Sequence, residues 1–545
     1  MKNKRLSLAL LLAVLSYSGV TAQKIKNTVS DVWMADLGNG SYKNPVLYAD
    51  YSDPDVCRVG KDYYMTASSF NCIPGLPVLH SNDLVNWELV NYALPKQPPV
   101  EVYDKIQHGN GVWAPCIRYH NEEFYIFYPD PDFGIYMIKT KDPRGKWSEP
   151  VLVKADKGII DPAPFWDEDG KAYLGYALAG SRAGSKSVLM ICSMNEDATV
   201  AYDDDDKILF DGHEKHQTVE GPKLYKRNGY YYVFAPAGGV ATGWQLILRS
   251  KNIFGPYEEK VVLEQGKTNI NGPHQGAWVD TVTGEDWFLH FQDQGAYGRV
   301  VHLNPMSWKD NWPVMGVDYD KNGIGEPVST YKKPNVGAQY PIATPPDSDE
   351  FNEPVQGLQW QWHANKQLVW GYPSTGMGYY RMNCITKPDN YVSLWQVPNI
   401  LAQKFPANEF TATAKFDFKP NFDNEEFGFL IMGRSYSYIA VKQIKGKLKL
   451  VQAIGEKADK GKAETTTEIA DLNSGSLYFR VKVENGAKCQ FYYSYDNKKF
   501  MKAGTEFKAS EGVWIGAKMG MVALREGKIN NAGYVNVDWF RVTKD

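Results

Sequence analysis

The stretch from Val219 to Phe234, VEGPKLYKRNGYYYVF, constrains the whole chain because four other segments repeat its grammar. An acidic residue stands before Gly221-Pro222. A short apolar run follows, then the polar turn Lys226-Arg227-Asn228-Gly229, then a tyrosine-rich run. Asn-Gly between two such runs is a strong hairpin signal, because both residues tolerate positive φ. In the same way Asp53-Pro54 leads into VCRVGKDYYM, Ala114-Pro115 into CIRYHNEEFYIFY, Asp161-Pro162 into APFWDEDGKAYLGY, and His274-Gln275-Gly276 into AWVDTVTGEDWFLHF. These openings lie roughly 45 to 60 residues apart, the period of a propeller rather than of a solenoid. Five strand-turn-strand units predict five blades around one axis.

A chain of 545 residues is too long for one ordinary domain. Its 16 Trp and 35 Tyr, with abundant Gly and Pro, describe a turn-rich β protein rather than a helical bundle. The propeller is expected over 23–331. The segment KKPNVGAQYPIATPPDSDEF then shifts composition toward Pro and small polar residues, and 332–348 reads as an interdomain linker. Beyond it, runs such as FTATAKFDFKP, YSYIAVKQI, LYFRVKV and YVNVDWFRV have period-two character, so 349–545 is expected to form a β-sandwich of jelly-roll, concanavalin-like type. The fold class is all-β. The acidic run Asp203 to Asp206 reads as a solvated loop.

A formal net charge of −3 argues against nucleic acid as a partner, and a neutral polymer such as a carbohydrate fits better. Lys2, Lys4 and Arg5, the apolar run LSLALLLAVL and the small residues Val20-Thr21-Ala22 form a secretory signal over 1–22, pointing to export into a periplasm. That run is too short to span a bilayer. Six cysteines carry no CxxC spacing and read mostly as buried thiols, with Cys57 and Cys72 the one pair considered for a disulfide.

Three of the five repeat openings carry carboxylates: Asp53, Asp161 and Glu220. A residue before proline is pushed toward extended geometry, which places Asp53 and Asp161 at strand entrances. A single Asp-Pro commonly does no more than cap a turn. Three acids at one phase of a fivefold repeat converge on one axis, and unpaired buried carboxylates are costly enough to need a reason. Cleavage of a glycosidic bond supplies one, since it uses an acid to protonate the leaving oxygen and a base to activate water.

The motifs YSDPDVCRVGKDYYM, GVWAPCIRYHNEEFYIFY, IDPAPFWDEDGKAYLGY and VEGPKLYKRNGYYYVF resemble glycoside hydrolase family 43, and the tail resembles the β-sandwich often appended to its exo-acting members. The resemblance implies Asp53 as general base, Glu220 as general acid, and Asp161 as the carboxylate that orients the acid and keeps it protonated. It implies inversion, with the two catalytic carboxyls roughly 6.5 to 9.5 Å apart. Trp113 is a candidate sugar-stacking wall or a packing residue, and Arg299, in Gly298-Arg299, a donor to sugar hydroxyls or to a carboxylate. Phe70 is a candidate for the pocket or the core. The family's axial histidine, often associated with calcium, aligns with either His274 or Gln275, so a structural calcium is possible while the chemistry itself requires no cofactor. The implied substrates are arabinose- or xylose-containing polysaccharides and oligosaccharides. Because SSFNCIPGLPVLHS lacks the Phe-Glu-Trp cluster associated with many β-xylosidases, the expectation leans to α-L-arabinofuranosidase, with β-D-xylosidase the alternative. A non-catalytic carbohydrate-binding protein is a further alternative. Trp360 and Trp362 of the sandwich read as packing against the propeller and shaping its pocket rim, with sugar stacking the alternative.

Overall fold

The computed structural model describes residues 29–527 and 531–544; the export signal read at 1–22 lies outside them. Strand accounts for 49% of the described residues and helix for 4%, which leaves sheets to form both structural units. Among the described residues no helix is long and apolar enough to cross a membrane.

The first unit is a five-bladed propeller. Blade 1 comprises Asp55–Val59, Asp62–Thr66, Gly75–Ser81 and Glu88–Leu94, and blade 2 Cys116–His120, Glu123–Asp130, Gly134–Thr140 and Val151–Lys154. Blade 3 comprises Ile159–Trp166, Ala172–Leu178, Val188–Met194 and Lys207–Asp211, and blade 4 Lys223–Arg227, Tyr230–Ala237, Trp244–Ser250 and Glu258–Leu263. Blade 5 comprises His274–Asp280, Asp286–Asp293, Arg299–Lys309 and Trp312–Met315. Each is an antiparallel meander of four consecutive strands, and the recurring hairpin supplies its first two. In blade 4 the hairpin is closed by Asn228 and Gly229 at φ 50° and 70°, with Arg227 paired to Tyr230, as the Asn-Gly signal demands.

First strands pack side by side from blade 1 to blade 4, the second strand of blade 4 packs on the first strand of blade 5, and the first strands of blades 5 and 1 close the ring. The closure exchanges no strand between these two blades. Instead Ser41–Lys43 pairs with Thr330–Lys332, and the Asn44 side chain accepts from Leu303 N while donating to the carbonyls of Leu303 and Val328. The ends of the propeller are thereby tied to each other.

The second unit is a sandwich of an eight-stranded and a seven-stranded sheet. Alternation is plain in Ser476–Glu484, where every second side chain is buried, and these inward positions meet the other sheet in a core rich in Phe416, Phe427, Phe429, Phe479, Phe491 and Phe540. The two units share a buried seam. Ile73 and Trp362 exchange backbone hydrogen bonds of 2.9 and 2.6 Å, and Asn71 donates to the His363 carbonyl at 2.7 Å. Trp360 and Trp362 are both 0% exposed, so the idea that they stack on sugar is overturned. They are packing residues, because burial at the seam removes far more apolar surface from water than a surface platform would.

The segment 332–348 is a packed strap rather than a free tether. Lys333 sits between Asp36 and Asp83, and Ser30 Oγ donates to Asp347 at 2.6 Å. The acidic run is not merely solvated either: Asp203 and Asp206 both hold the buried ammonium of Lys154. All six cysteines are free thiols, with Cys57 in blade 1 and Cys72 at the seam, where Lys518 Nζ donates to its Sγ at 3.0 Å.

Trp362→Ala is expected to destabilise the protein by about 3–5 kcal/mol, the usual cost of emptying a buried tryptophan site. A thermal unfolding midpoint several degrees lower, with both units losing structure earlier, is the result to look for.

Candidate active site

At the axis, Asp53, Asp161, Gly221 and Gln275 all take positive φ, at 55°, 57°, 59° and 35°. The extended geometry expected for Asp53 and Asp161 is therefore corrected. For Asp161 the cause is visible in the register, which shifts between Ile160 and Ala163 in blade 3, as it does around Gln275 between His274 and Gly276 in blade 5. A bulge of this kind re-aims a side chain, and aspartate tolerates the left-handed region better than most residues. The acids thus turn out of the sheet plane and into a cavity of about 110 Å³, walled by residues from all five blades and by Trp514 of the sandwich.

Asp53 is 5% exposed. Its Oδ2 accepts from the Ser52 hydroxyl at 2.6 Å and from the Ser68 hydroxyl at 2.5 Å, and Arg299 Nη1 lies 3.3 Å from its Oδ1. Of the two roles expected for Arg299, fixing a carboxylate is the one seen. Asp161 Oδ2 accepts from Gly221 N at 2.7 Å, which ties the third acid to the backbone next to Glu220. Burial pushes the Asp161 carboxyl up to about 6, opposed chiefly by the ammonium of Lys223, a buried residue in the strand directly after Glu220. Glu220 keeps 27% of its side chain open to the pocket but is enclosed by protein elsewhere. Burial, then the charges of Asp161 and Asp53, push it up to about 8, so it carries its proton at neutral pH. The arrangement separates a protonated acid from carboxylates held by donors.

His274 is 1% exposed and its Nε2 stands 3.4 Å from Glu220 Oε1. Burial first, then Arg299, drive its pKa down to about 3, so the ring is neutral. Gln275 turns toward Asp161 and lies against Gly221. Both residues line the pocket. Neither ring nitrogen of His274 has a protein partner. Calcium takes six to eight oxygen ligands, and among the described residues no three His, Cys, Asp or Glu side chains converge as they would on a metal ion. The donor set does not fit a protein-built calcium cage, and no catalytic step is derived through one.

Phe70, 2% exposed with φ 51°, is at once core and pocket wall. Trp113 faces the cavity while its indole N–H donates to the Gly109 carbonyl at 2.8 Å and Arg182 lies over its ring. Its edge meets Trp514 at 6.0 Å between centroids. Sequence reasoning missed Trp514, together with Ser52, Ser68, Asp50 and Lys223. The loop bearing Trp514 is pinned by Gly516 N donating to Asp50 at 3.0 Å and Ala517 N to the Ala296 carbonyl at 2.7 Å. Asp50 also accepts from Arg299 N at 2.9 Å, and a Cβ on Gly298, at φ 76°, would lie 2.5 Å from its carboxyl carbon. Glycine at 298 is what lets Arg299 approach Asp53. Ser52 lies within YSDPDVCRVGKDYYM and Asp50 immediately before it, but nothing local marks them apart from their neighbours.

A small pocket with one protonated carboxyl, one carboxylate fixed by donors, and aromatic walls is the equipment of a glycoside hydrolase. The family described as glycosyl hydrolases family 43 matches residues 42–313, and the β-xylosidase C-terminal concanavalin A-like domain matches 348–543. The chain is 39% identical over 493 residues to a putative β-xylosidase of Xylanibacter ruminicola, covering 89% of this chain and 86% of that one. It is 29% identical to a non-reducing end α-L-arabinofuranosidase of Bacteroides ovatus, over 73% of this chain and 75% of the relative. A solved family 43 protein of Bacillus licheniformis superposes with a TM-score of 0.78 at 26% identity, over 92% of this chain and 99% of that one. This protein belongs to glycoside hydrolase family 43.

Because Glu220 loses its proton as pH rises through about 8, kcat/KM is expected to fall above that pH on substrates with poor leaving groups. Asp161→Asn removes a charge that raises the Glu220 pKa, so this basic limb should move to lower pH. Initial rates across pH for both forms measure it. Glu220→Ala should lower turnover about 10²- to 10⁴-fold on such substrates, and should leave aryl glycosides with activated leaving groups much less affected.

Proposed function

We propose that the protein is an exo-acting, inverting glycosidase that removes single terminal pentoses, with β-D-xylose from xylo-oligosaccharides as the principal product. The observation that carries the exo reading is the pocket itself. At about 110 Å³ it is well below the roughly 300–1,000 Å³ of sites for larger ligands, and Trp113, Phe70 and Trp514 wall it. One sugar unit is what such a space suits.

In this reading Glu220 gives its proton to the glycosidic oxygen as the bond to the anomeric carbon breaks. Asp53 accepts a proton from water, whose oxygen attacks that carbon from the opposite face. Asp161, held by Gly221 N and facing Lys223, keeps Glu220 protonated and oriented. Arg299 and the hydroxyls of Ser52 and Ser68 fix the direction of the Asp53 oxygens. The products are a free sugar of inverted configuration and a shortened glycan.

Support for xylose is the name carried by the Xylanibacter relative, whose match spans most of both chains. The α-L-arabinofuranosidase reading is kept as the second one, on the absence of a Phe-Glu-Trp cluster from 68–81 and on the Bacteroides ovatus relative. Export to a periplasm is proposed on the character of 1–22 alone.

Paired initial rates on aryl β-D-xyloside and aryl α-L-arabinofuranoside, with NMR of the first anomer released, test substrate and stereochemistry together. Faster xylose release with inversion is the expected result. Dominant arabinose release would replace the substrate while keeping the mechanism, and retention of configuration would remove Asp53 from the base role.

A further inference from the structure

The first strand of each blade starts beside the acids and ends at the opposite mouth of the axis. From Asp53 to Arg58 that run is five residues, about 17 Å at the usual strand rise. There the five strand ends surround a second cavity of about 480 Å³, several times the volume of the catalytic pocket and within the range of built ligand sites. The mechanism uses none of it.

Three features define what this cavity fits. Its charge is balanced: Arg58, Arg118 and Lys226 face Asp167, Glu168 and Asp280, with Arg58 in a bidentate pair to Asp280 and Lys226 at 2.5 Å from Asp167. A phosphate or a strongly charged peptide would meet no net attraction in it. At the same time its walls are aromatic. Tyr119 is 41% exposed, Trp166 carries the His120 ring stacked at 4.5 Å, and Trp278 is anchored by its indole N–H donating to Asp286 at 2.7 Å. Rings fixed in this way offer CH-binding faces at low entropic cost.

The third feature is a polar pair held ready at the rim. Arg58 and Asp280 keep 26% and 46% of their side chains accessible while paired to each other. A donor and an acceptor exposed in one ion pair match a hydroxyl, which accepts and donates through the same oxygen.

We propose that this far mouth is a second, non-catalytic binding site for a neutral oligosaccharide. Its rings take the apolar faces of the sugar and its fixed ion pairs take the hydroxyls. It would hold a glycan on the side of the propeller away from the acids, so that one chain engages carbohydrate at two places.

The test uses the full chain carrying Asp53→Asn and Glu220→Gln, which prevents turnover, titrated calorimetrically with xylotetraose and separately with an arabinan oligosaccharide. Two binding events per chain are expected with at least one of them. Adding Tyr119→Ala, at an exposed position and with an unchanged circular dichroism spectrum as the check on folding, should weaken one event at least 10-fold and spare the other. In the active enzyme Tyr119→Ala should leave kcat on aryl glycosides unchanged, which separates this site from the catalytic reading. A single event with both glycans, the outcome if only water fills the far mouth, would overturn the proposal. So would two events that Tyr119→Ala does not touch.

Discussion

Asp53, Asp161 and Glu220 are drawn into one buried pocket, and three carboxylates so placed cannot all be ionised without counter-charge. The structure around the axis is organised by that constraint. Arg299 and two serine hydroxyls face Asp53, Lys223 and the Gly221 amide face Asp161, and Glu220 is left with no close cationic partner of its own. The charge that is not neutralised by a partner is neutralised by a proton. Placement of donors, rather than any property of glutamate, makes one of the three an acid.

That electrostatic arrangement depends on the sandwich as well as the propeller. Asp50 joins them: one of its oxygens takes the Arg299 amide and the other the Gly516 amide. The same contact that sets Arg299 against Asp53 therefore positions the loop carrying Trp514. Trp514 itself sits at φ 63°, a conformation costing about 1–3 kcal/mol for such a residue, sustained by the hydrogen bonds on either side of it. A second point of close approach supports the loop, since a Cβ on Gly109 would lie 2.3 Å from Val513 Cγ1. The pocket is a joint product of two units with separate cores.

Much of the propeller was legible in the chain because the hairpin code is local. Short polar turns, alternating apolar runs and their spacing act over a dozen residues, and the five blades follow them. The three acids were legible for the same reason, since equal phase in a repeat means equal position on a ring. Their backbone was not. Proline favours extended geometry in the preceding residue, but at Asp161 the bulge Ile160–Ala163 is set by pairing with the second strand of the blade, and pairing won. Trp360 and Trp362 allowed both packing and sugar stacking, and only the surfaces that cover them decide for packing.

What the amino-acid sequence determined by itself is the number of blades, the existence of a second all-β unit and the common phase of three carboxylates in the repeat, because these rest on short-range periodicity. Only the tertiary structure decided which acid holds a proton, which way Arg299 points, and that Trp514 closes the pocket from 461 residues beyond Asp53 in the chain. Those outcomes are set by fields and contacts that fall off with distance in space and do not depend on distance along the chain.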